Sequence, residues 1–174
     1  MDIFLLRVFQ RQVLLQCKFL MLAANEVNQG LKLKDTDRTF YALQNMLVAG
    51  ANIAKSLWGG GGKLEAQRKP LRDSIGISDS AQLRNVTMRH NFEHLDERLD
   101  RWWKESKQHN HIDLSIGPSD LISGTAEMDK FRHFDPVTTD MIFWGEQFNL
   151  QQIVNEVQMI LPRLQVEANK PHWN

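Results

Sequence analysis

Residues 149–164 read NLQQIVNEVQMILPRL, and the spacing within them decides the fold class. Leu150, Ile153, Val154, Val157, Leu161 and Leu164 recur three or four positions apart, so they share one face of a helix turning about 100° per residue. Asn149 stands where a side-chain oxygen can accept from the first unpaired backbone amides, which predicts the helix start. Working outward, the same period returns in Phe40, Leu43, Leu47, Gly50, Ala54 and Leu57, behind the capping candidates Asp35, Thr36 and Asp37. In the first segment, about residues 2–29, Leu6, Phe9, Val13, Cys17, Leu20, Ala24 and Val27 form one stripe. Phe4, Val8, Leu15, Phe19 and Leu22 form a second. A helix apolar on two sides must be covered on two sides, by its own domain or by another copy, so a homodimer is expected.

Glycines 59–62 end the second helix, because glycine leaves the backbone unrestrained. They do not cradle a phosphate: Lys63 is followed by Leu64 and not a hydroxyl, and no strand precedes the run. A short helix around 63–75 contains Pro70. Beyond Gly76, the residues Ser78, Asp79 and Ser80 are placed to cap a long polar helix over about 80–107. Its expected core seam is Met88, Phe92, Leu95, Leu99 and Trp102/Trp103. After residue 108 the texture changes, with short strand candidates at 113–116, 131–134 and 141–144 and a hairpin connection at 135–140. The expected architecture is mainly α. It is a single domain over 1–174, a bundle of four to five helices, with an irregular, partly β insertion at 110–148 that places a small hairpin before the last helix.

Lysine plus arginine (21) equal aspartate plus glutamate (21), so no overall field draws the chain to nucleic acid or an acidic surface, and any such contact is local. Cys17 has no partner for an intramolecular disulfide, which suits a reducing, cytoplasmic setting. Arg7, Arg11 and Lys18 interrupt the apolar N-terminal run before the ~18 uninterrupted residues of a membrane span, so no membrane partner is expected.

Chemistry concentrates on the long polar helix. Taken as one continuous helix, it sets Arg89, His90, Glu93, His94, Glu97 and Arg101 on the face turned from the seam. Mixed charges at such spacing commonly form a solvated face laced with i, i+4 pairs. Two histidines four apart and flanked by carboxylates add another capacity, because imidazole titrates near neutrality and can give or take a proton.

The segment Arg89-His90-Asn91-Phe92-Glu93-His94 matches the arginine, polar residue, three of any kind, histidine motif of the HEPN superfamily, the helical nucleotide-binding domains of higher eukaryotes and prokaryotes. With Glu93-His94-Leu95-Asp96-Glu97-Arg98-Leu99, Ile116-Gly117-Pro118, Phe134-Asp135-Pro136 and Phe143-Trp144-Gly145-Glu146, the region 55–165 resembles a group of bacterial HEPN-like proteins. That resemblance implies a dimer with a cleft that cuts RNA without a metal or other cofactor, in a toxin or defence role. It implies His94 as general acid or base, Arg89 as the phosphate cation, His90 as a positioning or shuttling residue, and Glu93 within the same set. The superfamily also holds bundles without nuclease activity, so a non-catalytic nucleotide-binding or protein-interaction module is the alternative.

Two metal readings stand beside these. His90-Asn91-Phe92-Glu93-His94 fits the inverted zinc-protease pattern, with Glu167 as the nominal third ligand. His90, His94 and Glu97, at i, i+4 and i+7, form a looser metal set that needs a ligand from a neighbour. Trp102 and Trp103 close the seam as core and rim, the competing role being base stacking.

Overall fold

A computed structural model describes residues 1–171. Helix α1 spans Ile3–Leu33 and α2 spans Thr36–Trp58, joined by a turn in which Lys34 takes the left-handed conformation. Asp35 accepts from the backbone N–H of Arg38 (3.0 Å), capping α2. The two helices pack along their lengths, and Gly30 is what lets them close. A Cβ there would lie 2.5 Å from Thr39 Oγ1 and 2.9 Å from the Thr39 backbone nitrogen. Gly30→Ala is therefore expected to destabilise by about 1–3 kcal/mol through overpacking, although alanine in an isolated helix gains about 1 kcal/mol over glycine. Urea unfolding checks the sign, and a stabilised variant would remove the close-approach explanation.

Helix α3 covers Gly62–Ile75 and holds Pro70 inside it. The C-terminal helix is capped as its sequence predicts: Asn149 accepts from Gln152 N–H at 2.9 Å. Apolar stripes of the helices meet in one cluster with Leu20, Leu43, Ile53, Leu57, Leu71 and Ile153 at its centre. Of α1's two stripes, Val13, Cys17 and Leu20 are fully buried, while Leu15, Phe19 and Leu22 remain exposed. Burial pushes the Cys17 thiol up to about 12, so it behaves as a small apolar group. Among the described residues no helix is long and apolar enough to cross a membrane.

The expected continuous helix over 80–107 is three pieces. A 3₁₀ turn at Gln82–Arg84 is capped by Glu156, whose carboxylate accepts from Gln82 N–H (2.7 Å) and Leu83 N–H (2.9 Å). Helix α4 is Thr87–Glu93 and α5 is Leu95–Glu105, with His94 between them at φ −104°, ψ 38°. This break rotates the inward face. Met88 and Phe92 are buried as expected, and Leu95 and Trp102 pack against the core, but Leu99 (37 % exposed) and Trp103 (66 % exposed) turn outward. Two polar tethers set the rotation. Arg98 Nε donates to Asn91 Oδ1 at 3.1 Å, and Trp102 Nε1 donates to Asp129 Oδ1 at 2.8 Å.

The β insertion is larger than a hairpin. Strands β1 (Ser115–Ile116), β2 (His133–Asp135), β3 (Asp140–Phe143) and β4 (Glu146–Asn149) form a sheet in that order, β1 parallel to β2 and the rest antiparallel. Ile116, Phe134, Met141 and Phe148 are successive register partners, so they make one apolar row that faces the helices. The unexpected β4 leaves both Glu146 and Gln147 exposed, Glu146 reaching across to α4, which hides its strand period. It is joined to β3 by Trp144 and Gly145, both at positive φ (51° and 79°), as a tight two-residue hairpin turn requires. Helix α6, Leu150–Ala168, follows directly.

Asp129, wholly buried in a second 3₁₀ turn, fastens the end of α5, since it also accepts from Ser106 Oγ at 2.6 Å. The Ser106 hydroxyl, against the cost of burial, and the Trp102 indole hold its carboxyl below the usual carboxylate range. A lowered folded-state value means stability present above the unfolded value of about 3.9 and lost as pH falls through the folded one. The urea midpoint is thus expected to drop on acidification below about pH 4. Asp129→Asn should flatten that drop; a variant with the wild-type slope would take Asp129 out of the linkage.

Candidate functional site

Helix α4 is short and its inner face is anchored. Met88, Asn91 and Phe92 are buried, Asn91 Nδ2 donates to Glu146 Oε2 at 3.0 Å, and Thr87 Oγ1 donates to the other oxygen of the same carboxylate. Asn85 Oδ1 accepts from Thr87 N–H at 3.0 Å and starts the helix. The remaining residues are left facing outward. His90, Glu93 and His94 are exposed.

Arg89 is different. Its side chain is only 16 % exposed, and its stem lines a small cavity with Leu47, Ala51, Phe148 and Ile153. The guanidinium pairs with Glu93 one turn on. His94, at the α4–α5 break, has a half-exposed side chain (49 %), and its Nδ1 lies 3.1 Å from Glu97 Oε1. With Nδ1 donating to that carboxylate, Nε2 is the ring nitrogen left as proton acceptor. The His90 and His94 rings are 6.2 Å apart, centroid to centroid. One short surface thus holds two imidazoles, a mostly buried guanidinium and two carboxylates, Glu93 committed to Arg89 and Glu97 to His94.

No family model matches the chain, and no curated protein or solved structure matches it.

Metal chemistry finds little footing. Among the described residues no three His, Cys, Asp or Glu side chains are gathered so as to hold an ion. The set His90, His94 and Glu97 presumed one straight helix, and the break at His94 removes that alignment. Glu167, nominated as third ligand for the zinc-protease pattern, is spent at the other end of the bundle. It pairs with buried Arg7 at 3.1 Å and with Lys170 at 2.6 Å. Trp102 is tied to Asp129 and unavailable for stacking, whereas exposed Trp103 lies against His109 with centroids 4.3 Å apart.

Asn91, Arg98 and Glu146 are the residues sequence reasoning missed as supports of this surface. Glu146 is 55 positions from Asn91, and nothing in local spacing reports a bond of that range.

Proposed function

We propose that this chain is a HEPN-like helical domain that acts as a homodimer and cleaves RNA without a metal, in a toxin or defence role. The observation that carries it is the exposed His94 with Nδ1 held by Glu97, at the end of the same short helix as Arg89 and His90. In transesterification the ribose 2′-oxygen attacks its own phosphorus, the bond to the 5′-oxygen breaks, and a 2′,3′-cyclic phosphate remains. One proton must leave the 2′-hydroxyl and one must reach the departing 5′-oxygen. His94 Nε2 takes one of these transfers, His90 shuttles the other proton, and Arg89 meets the charge growing on the phosphate as it exchanges Glu93 for the substrate. Excess chelator should leave RNA degradation by the purified protein intact, and His94→Ala should abolish it with helical circular dichroism unchanged. Activity that survives the substitution belongs to a contaminant and sinks the proposal.

One observation favours the non-catalytic alternative. The Arg89–Glu93 pair is internally neutral, so the surface as it stands offers no free cation for a phosphate. A module that recognises a nucleotide or protein partner through this face needs no such exchange. Glu93→Gln separates the two: it frees Arg89, and RNA binding should tighten and become more salt-dependent if phosphate is the ligand.

A further inference from the structure

The sheet has a second face. Ser115, His133, Ile142 and Gln147 are register partners one position off the apolar row, so they turn away from the helices. His133 (5 % exposed) and Ile142 are nevertheless buried, because residues 119–130 fold back over them. The cover leaves a cavity of about 340 Å³, lined also by Ile122, Glu127 and Lys130. Ser115 Oγ lies 2.7 Å from His133 Nδ1. With the hydroxyl donating, Nε2 carries the ring proton, and that buried N–H has no hydrogen-bond partner. A buried donor without an acceptor costs stability, so it calls for a group that the chain does not itself supply. Lys130 is also turned inward, 15 % exposed, and its ammonium donates to Glu127 Oε1 at 2.8 Å. Glu127 is not: 59 % of its side chain is exposed, so it can swing into water.

We propose that this cavity binds a small monocarboxylate with a short aliphatic tail, its carboxylate displacing Glu127 from Lys130 and accepting from His133 Nε2, its tail lying between Ile122 and Ile142. The donors set the chemistry. Two inward groups donate, one of them charged, and the only acid lining the cavity is the group most free to leave. One buried cation balances one negative charge, so a doubly charged phosphate would be left partly unpaired. Burial, joined by the Lys130 cation and opposed by the Gly117 carbonyl and Asp135, holds the His133 ring below its ordinary value, so it is neutral near pH 7. A carboxylate against Nε2 favours the charged ring, and binding therefore takes up a proton. The groups facing the ring are Lys130 and Glu127 from the covering segment, Asp135 from its own strand, and the uncharged Ser115 and Gln147 from β1 and β4. The cavity shares no residue with the α4 surface, so the proposal stands whether or not the chain cuts RNA.

Isovalerate is the probe, with isovaleramide as its uncharged isostere, each titrated calorimetrically into the full chain. Isovalerate should bind about tenfold or more tighter than the amide. Its affinity should rise as pH falls from about 8 to about 6, by up to about tenfold per unit, the limit for one proton taken up. Glu127→Gln should tighten binding severalfold, because the competing group loses its charge, and Lys130→Met should abolish it. Glu127 is exposed, so its substitution should leave the fold intact, and the urea midpoint checks that. Equal binding of the amide, no binding of isovalerate at about 10 mM, or weaker binding in Glu127→Gln with an unchanged urea midpoint would each overturn the proposal. So would inorganic phosphate that binds more tightly than isovalerate.

Discussion

Phe131→Ala is expected to destabilise the protein by about 3–5 kcal/mol, the range for deleting a fully buried aromatic ring. Phe131 has no exposed surface, and its ring touches four others: His111 at 4.6 Å, Phe143 at 5.5 Å, Trp144 at 5.6 Å and Trp102 at 5.8 Å between centroids. Edge-on aromatic contacts add about 0.5–1.5 kcal/mol each beyond area burial. The position is also a junction. Trp102 belongs to α5, Phe143 to β3 and Trp144 to the β3–β4 turn, so the cavity would loosen the sheet and the second half of the polar helix together. Its backbone N–H bond to Ile112 O (2.8 Å) survives the change, which isolates the side-chain effect. Against a typical total of about 5–15 kcal/mol, such a loss brings the fold near its threshold. Urea unfolding measures it, and near-ultraviolet dichroism should report loosened tryptophans while far-ultraviolet signal persists. A loss below about 1 kcal/mol would mean that the ring cluster is not a packed unit.

His94→Ala is expected to lower RNA cleavage by about 10²–10⁴-fold, the usual contribution of a positioned acid or base. The substitution is structurally mild, because the ring is half exposed and the hydrogen bond it gives up is the one to Glu97. Folding should therefore be unchanged, and the loss should fall on turnover. Glu97 acts through His94, so it is a positioning residue with a different signature. Glu97→Gln keeps an oxygen within reach of Nδ1 and should retain most of the turnover, whereas Glu97→Ala leaves the ring unheld and should lower kcat with little change in KM. A raised KM with kcat unchanged in Glu97→Ala would assign Glu97 a role at the substrate instead. Equal rates for His94→Ala and the native protein would end the proton-transfer reading altogether.

Much of the helical framework is legible because it depends on neighbours within four residues. Asp35 and Asn149 cap the helices their positions predict, and α2 and α6 bury the stripes their spacing defines. The polar helix failed at one residue. His94 carries no glycine or proline signal, and the break there answers to Arg98 reaching Asn91 and Trp102 reaching Asp129. Strand β4 was lost for a related reason: a strand buried only at Phe148 shows no alternation, and its turn places a tryptophan at positive φ where glycine or asparagine would have announced it.

What the amino-acid sequence alone determined is the class: helices of known phase, a β segment after residue 108, and the residue types of the candidate site. Periodicity and capping are local, so they are written within a turn or two of chain. Tertiary structure alone decided which polar groups go inside and which way the site faces. Arg7 is buried because Glu167 waits 160 positions away, Gly30 is required because Thr39 crosses it, and His90 and His94 face outward because Glu146 pulls Asn91 in. A polar side chain can leave water only where a partner meets it. That partner's place is set by how the helices pack, and no short-range pattern holds that information.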